Sequence, residues 1–476
     1  MTLGRNLSLG LVGLLALMAL GFLGAELFTI SQPILKNYNE GWNAYLASAA
    51  ISNPSSLYPA KAALFANNYP PLSFFLVGVA AKFGGDAIIA GRVIAFLSTL
   101  GIAICLWFCA RALGCGKWIA GVASLVFLAA PWVIVRFSAL DDPQMLGNFL
   151  DAAGLMLILQ APRDTKHIAL GALFLCGAQF VKPLFITLPL ALLVWLYLRE
   201  RRSALLLAGF GLAFAILGYA LIFFFLHVEL LGHLFSPRQF FWSRLTGQPG
   251  QWLVAEILPL AASLALFRRR ESNAFFAPLY AAIAFALAVF FSGGDGVSAS
   301  QMMDVSVAVS LGAALYLEAA QNKRWTIALM GLTAALQSVL LVLSFVGLWA
   351  SRPSLPELMG TRNATRYDVA LLARQKDPVM CETLALCYWA GRPAQVDAFS
   401  LNQAIATKAR PAGDFTKLLD QHSFRMIQLQ PRSLFEPPSP LWAAIVRNYY
   451  LDHQDRNGMF LIPREPLSLG PGAFRR

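Results

Sequence analysis

Long apolar runs separated by short basic clusters constrain this chain more than any other feature. Membrane-spanning helices need about 20 apolar residues each. Eleven candidate runs are visible, at 8–30, 87–110, 118–136, 143–161, 167–181, 184–198, 203–226, 252–267, 274–292, 301–320 and 325–349. The first is too long for a removed signal peptide and lacks a small-residue cleavage site. Composition agrees: 58% of the 476 residues are apolar, 13% are charged and the mean hydropathy is +0.60. Those values exclude an ordinary soluble domain, a disordered chain and a secreted disulfide scaffold. The expected fold class is an all-α polytopic membrane protein of about 11 transmembrane helices, with a small C-terminal α/β domain.

The charges orient the spans. With the N-terminus placed in the cytoplasm, the alternate loops on that side hold Arg5, Arg111, Lys117, Arg163, Lys166, Arg199, Arg201, Arg202, Arg268–Arg270, Lys323 and Arg324. They account for 13 of the 21 basic residues in 1–350. This asymmetry is the positive-inside pattern, and it explains the net charge of +12 without any nucleic-acid surface. An odd number of spans then leaves the C-terminal region outside. The expected organisation is a transmembrane domain over 1–350, whose first outer loop (31–86) carries interfacial helices, and an extracytoplasmic α/β domain over 351–476. The piece PPLSFFLVGVAAKF reads as a helix lying in the interface. In the tail, PVMCE, AQVDAF, RMIQLQ and GMFLIP read as strands, and LNQAIAT, FTKLLDQH and LWAAIVRNYYLDHQ as helices. Cys381 and Cys387 face an oxidising compartment and are placed to close a small disulfide loop, although spacing alone does not decide it. No Cys/His spacing suits a metal.

Carboxylates gather where the cations are scarce. Glu26, Glu40, Asp86, Asp141, Asp142, Glu229, Asp295 and Asp304 fall near the outer ends of the spans, together with Arg136, Lys182, Arg238 and Arg244. Such charges at a membrane are functional candidates. Carboxylates supply a base and cations clamp a phosphate, so an anionic, phosphate-bearing substrate at the outer interface fits the set. Capping of the helix that begins at Pro143 accounts for one of Asp141 and Asp142 and leaves the other.

The ordered pieces NEGWNAY, NNYPPLSFF, GDAIIAGR, ALDDP, FVKP, GGDGVSASQMMD and CETLALCYWAGRPAQVDAF resemble those of the GT-C glycosyltransferases. The resemblance covers most of the chain. It is strongest to the bacterial branch with the protein O-mannosyltransferase-like and lipid A aminoarabinose transferase-like enzymes. It implies transfer of a sugar from a polyprenyl-phosphate donor to a cell-envelope acceptor (glycan, lipid or protein), in one inverting displacement, on the outer face of the bacterial inner membrane. It also implies catalytic roles for Glu40, Asp142 and Asp141. Where the family commonly has Asp-Glu, this chain has Asn39-Glu40, so Glu40 is the carboxylate that remains. Lys182 matches a cation near the donor phosphate, Tyr69 falls in the first-loop motif, and Asp295, Ser298 and Gln301 fall in a polar motif lining the donor site. Arg238 and Arg244 join the list on charge alone. No cofactor is implied with certainty: a divalent cation at Asp141 and Asp142 and hydroxyl binding by the same carboxylates both stay open. A lipid-linked glycan flippase and an O-antigen-type polymerase or ligase are the alternatives. The flippase would place its polar groups at the midplane between repeats, and no repeat is present; the polymerase or ligase would carry a large late outer loop.

Overall fold

The computed structural model describes residues 2–60, 62–130, 136–235, 237–269, 272–320, 355–437 and 439–464. The eleventh predicted span, 325–349, lies outside them. The chain divides into two compact units. One comprises Met1–Ile30, Tyr69–Leu234 and Phe240–Arg352; the other comprises Ser31–Asn68, Phe235–Gln239 and Pro353–Arg476.

The first unit is helical. Its longer described helices are Thr2–Thr29, Leu72–Gly84, Ala87–Ala112, Lys117–Leu128, Gln144–Gln160, Thr165–Val181, Thr187–Arg199, Arg201–Leu226, Gly247–Ala265, Phe276–Ser292 and Met303–Ala320. Six helices among the described residues are long and apolar enough to cross a bilayer. The piece read as an interfacial helix is Leu72–Gly84. It ends on Gly85 in the left-handed region, and Asp86 then caps the next helix by accepting from Ile88 N (2.8 Å) and Ile89 N (3.1 Å). Burial separates centre from rim. In the stretch Ala299–Ala320, 72% of the most apolar window is buried, against 11% for Arg201–Leu226, whose Leu205, Leu212 and Phe225 face outward as lipid-facing residues do.

Short connections make successive helices alternate in direction, so the basic loops share one end of the unit. Contacts there tie the loops together: Arg163 pairs with Glu200 (3.1 Å), Arg199 donates to the Ser272 carbonyl (2.6 Å), and Gly116 N donates to Glu318 (2.7 Å). The opposite end holds Tyr69, Asp86, Asp141, Lys182, Asp295 and the first turn of Met303–Ala320.

The second unit carries a four-stranded sheet, ordered β1-β2-β4-β3 with β1 Val379–Cys381, β2 Met426–Leu429, β3 Tyr449–Asp455 and β4 Gly458–Pro463. β1 and β2 are parallel, with Val379 opposite Met426, and the other pairs are antiparallel. The crossover carries helices Leu384–Trp389, Ala398–Ala406 and Gly413–Asp420. Cys381 and Cys387 form a disulfide with Cα atoms 5.9 Å apart. Two expectations need correction. AQVDAF forms no strand, because Asp397 caps helix Ala398–Ala406 by accepting from Ser400 N at 3.2 Å. The expected helix LWAAIVRNYYLDHQ stops at Asn448, and Tyr449–Asp455 is a strand that folds back on β4 through the two-residue turn Arg456-Asn457.

Where that hairpin meets helix Leu355–Arg374, the Asp368 carboxylate is fully buried and accepts from Asn457 Nδ2 at 2.6 Å. Burial lifts it to about 6, against the opposing Asn457 hydrogen bond; Asp455 adds to the rise and His453 opposes it. A raised carboxyl holds its proton longer folded than unfolded, so its share of stability falls as pH rises from about 4 to 6. Urea unfolding of the purified chain is expected to show a lower midpoint at pH 7 than at pH 4.5 from this group, and Asp368→Asn should flatten that part of the curve.

Candidate active site

The carboxylate-bearing end of the first unit is organised by helix Gln144–Gln160. Its entry is the turn Asp141-Asp142-Pro143, in which Asp142 accepts from Gln144 N at 2.9 Å. That is a cap, as the sequence allowed. Asp141 is buried and lies flush against Gly91 of helix Ala87–Ala112, where a Cβ would occupy the space of its carboxylate. The glycine of GDAIIAGR is therefore the seat of the first aspartate of ALDDP. Beside it on the same helix, Arg92 is fully buried and donates to the Ile30 carbonyl (3.2 Å).

From helix Gln144–Gln160 a buried polar chain reaches three other helices. Lys182, which follows helix Thr165–Val181, donates its ammonium to Gln144 Oε1 (2.9 Å) and lies 5.6 Å from the centre of the Tyr69 ring. Gln144 Nε2 donates to Asn148 Oδ1 (2.8 Å), and Asn148 Nδ2 donates to Asp304 Oδ1 (2.6 Å). Thr187, at the start of helix Thr187–Arg199, also hydrogen-bonds Asp304. Asp151 lies one turn further along, within electrostatic reach of Asp304, and neither of its carboxylate oxygens has a hydrogen-bond partner among the described residues. Of the residues singled out by sequence, Tyr69, Lys182 and Asp304 are brought together. Gln144, Asn148, Asp151 and Thr187 were missed, although Gln144, Asn148 and Asp151 (i, i+4 and i+7) form a polar stripe on one face of an apolar run.

The remaining candidates in this unit form a separate group. Arg244 pairs with Asp295 (2.5 Å) and stacks on Phe241 (4.9 Å), beside a bridge between Phe240 and Gly294. Ser298 accepts from Ser300 N (3.4 Å) and thereby caps the short helix Ala299–Met302, on which half-buried Gln301 lies.

Glu40 and Arg238 belong to the second unit. Glu40 is fully buried in the first turn of helix Asn39–Ser52, and its Oε2 accepts from Lys36 N at 3.4 Å. A carboxylate at that turn is favoured by the helix dipole. The helix seats directly on helix Leu384–Trp389: a Cβ on Gly41 would run into the Leu384–Ala385 backbone. Tyr45 donates to the Arg392 carbonyl and meets Tyr388 edge-on at 5.4 Å. Burial, reinforced by Tyr388, pushes the Tyr45 phenol up, so it stays a donor. The disulfide pins the other end of this contact at Cys387. Arg238 stacks over Phe399 (5.7 Å) near Asp397, a carboxyl raised by burial against its bonds to Ser400, while Gln239 N donates to Gln403 (3.1 Å). Arg238 and Arg244, alike in sequence, thus serve different units. Among the described residues no group of three or more His, Cys, Asp or Glu side chains forms a metal-holding set.

The model of a membrane-protein family described as a 6-pyruvoyl-tetrahydropterin synthase related domain matches residues 66–139. No curated protein sequence matches the chain. In structure the chain is similar to ArnT from Cupriavidus metallidurans bound to undecaprenyl phosphate, with a TM-score of 0.64 and 17% identity, over 95% of this chain and 98% of that one. It is also similar to the archaeal oligosaccharyltransferase AglB from Archaeoglobus fulgidus, in complex with an inhibitory peptide and a dolichol-phosphate (TM-score 0.55, 12% identity, 97% and 75% covered). The likeness, nearly end to end for ArnT, shows that this chain shares the fold of these proteins.

Proposed function

We propose that the chain is an integral-membrane glycosyltransferase. It moves a sugar from a polyprenyl-phosphate donor to a cell-envelope acceptor on the outer face of the plasma membrane. The observation that carries this reading is the buried Lys182 ammonium at the carboxylate-bearing end of a fold shared with a protein that binds undecaprenyl phosphate. The basic end is cytoplasmic by the positive-inside rule, which directs the carboxylate end outward. On this reading 1–350 is the membrane catalytic domain, 31–86 its first outer loop and 351–476 an extracytoplasmic domain. Ser31–Asn68 and the tail share one compact unit, which supports a common side for both.

The chemistry follows from the groups. The acceptor hydroxyl attacks the anomeric carbon, and the new C–O bond forms as the bond to the phosphate oxygen breaks. A carboxylate takes the hydroxyl proton: Glu40 is the candidate on the second unit, and Asp141 and Asp142 are the candidates on the first. The lipid phosphate leaves with the electron pair and is stabilised by charge rather than by a proton, which is the task of Lys182. One displacement inverts the anomeric centre. Tyr69 walls the Lys182 side chain; Asp295, Ser298, Gln301 and Arg244 of the same unit are the donor-binding candidates, and Arg238 is a further cation on the second unit. A divalent cation at Asp141 and Asp142 is the one added group this chemistry accommodates.

The test is purified chain in liposomes, offered a panel of polyprenyl-phosphate sugars with and without chelator. One donor is expected to be consumed, with release of polyprenyl phosphate and an inverted product. Translocation of lipid without consumption of any donor would overturn the reading in favour of a transporter. Gly91→Val adds no charge but fills the seat of Asp141. It is expected to lower transfer by about 10²-fold, as misplaced reacting groups do, with expression retained. Wild-type rates in that variant would remove Asp141 from the site.

A further inference from the structure

The geometry points to Asp304, Asn148 and Gln144 as positioning residues for the Lys182 ammonium, a carboxylate two amides away neutralising the cation while its remaining donors serve the lipid phosphate. This rests on the glycosyltransferase reading above. Lys182 is 5% exposed, and its hydrogen bond among the described residues goes to a neutral amide, Gln144, rather than to a carboxylate. A buried ammonium needs a counter-charge. Asp304 supplies it through Asn148 and Gln144, both buried, in three successive hydrogen bonds of 2.6–2.9 Å.

The chain has one direction. An ammonium only donates and a carboxylate only accepts, so two amides strung between them can be oriented in a single way. Each bond polarises the next in a low dielectric. A direct Lys–Asp ion pair would spend the cation on its partner. Relaying the charge keeps the ammonium restrained yet leaves two of its three N–H donors uncommitted to side chains of the described residues. The Tyr69 ring, 5.6 Å away, closes one side of the ammonium without taking a hydrogen bond. Phosphate needs such a site: a fixed cation with donors to spare. Asp304 is thereby a positioning residue, acting through Asn148 and Gln144, and not a base.

Asp304→Asn is isosteric: its oxygen can accept from Asn148 and its NH2 can donate to the Thr187 hydroxyl, so the main change is loss of the charge. With full-length protein in nanodiscs, undecaprenyl phosphate is the binding probe, and donor KM and kcat are measured beside it. Asp304→Asn is expected to weaken undecaprenyl phosphate binding about tenfold and raise donor KM in step, with kcat changed less. The double variant Asp304→Asn, Asn148→Asp moves the carboxylate one step closer to Lys182 and is expected to restore binding to within about threefold. A merely structural role predicts neither the loss from an isosteric change nor the rescue. Gln144→Met cuts the chain at its first link and is expected to reproduce the loss; it replaces Asp304→Asn if that variant does not purify as a single species. Wild-type binding by Asp304→Asn, or a loss the double variant fails to repair, overturns the inference alone. A wild-type protein that binds no undecaprenyl phosphate overturns the functional reading and this inference with it.

Discussion

Lys182→Met is expected to lower sugar transfer by about 10²- to 10³-fold while the protein still inserts and purifies. Methionine keeps most of the side-chain volume and removes the charge. The structural cost is one hydrogen bond to Gln144, about 1–3 kcal/mol for an acceptor left unmet in a buried place, too small to unfold a bundle with this much packed apolar surface. The catalytic cost is larger because negative charge builds on the leaving phosphate oxygen as the glycosidic bond breaks, so the cation counts most in the transition state. The loss should therefore fall on kcat as well as on donor KM, whereas Asp304→Asn, which leaves the cation in place, moves chiefly KM. Lys182→Arg restores the charge on a planar, bulkier head and should recover only part of the rate. Wild-type kcat/KM in Lys182→Met would remove this residue from the donor site.

Glu40→Gln is the second large effect. A positioned general base contributes about 10²- to 10⁴-fold, and the amide cannot take the acceptor's proton. Glutamine fills the same buried space in the first turn of Asn39–Ser52 and can accept from Lys36 N as the carboxylate does, so folding should survive. The expected result is a fall in kcat of that size with donor KM nearly unchanged. Asp142→Asn makes the sharpest comparison: asparagine caps as well as aspartate, so the bond to Gln144 N persists and only the charge is lost. Full activity in Glu40→Gln beside an inactive Asp142→Asn would transfer the role of base to the Asp141–Asp142 turn.

The helices of the membrane unit were legible because burying backbone in lipid leaves few options: apolar runs of the right length had to be helices. The helix breaks were legible too, as at Gly85-Asp86, where a left-handed glycine ends one helix and an aspartate caps the next. The Gln144–Asn148–Asp304 chain was not, since each polar residue sits singly in an apolar run and only the folded bundle brings helices 144–160 and 303–320 together. A periodicity argument is available for Gln144, Asn148 and Asp151, and Asp304 stands out as a charge at a span end, but neither segment shows locally that the two meet. The union of Ser31–Asn68 with the tail is likewise a long-range fact, carried by contacts such as Gly41 on Ala385 that leave no trace in either segment alone. Tyr449–Asp455 was read as the end of a helix because Leu441–Val446 sets a helical rhythm. The Asn457-Gly458 dipeptide, a hairpin signal in sequence, is the stronger cue; in the fold Arg456-Asn457 make the turn and Gly458 opens β4.

The most direct test is the release of polyprenyl phosphate by purified wild-type chain in liposomes, followed in time beside Lys182→Met and Glu40→Gln. The account predicts that one polyprenyl-phosphate sugar is consumed by the wild type, with acceptor glycosylated in equal amount and both variants slower by at least about 10²-fold. Intact donor throughout the panel, or equal release by all three proteins, would contradict it.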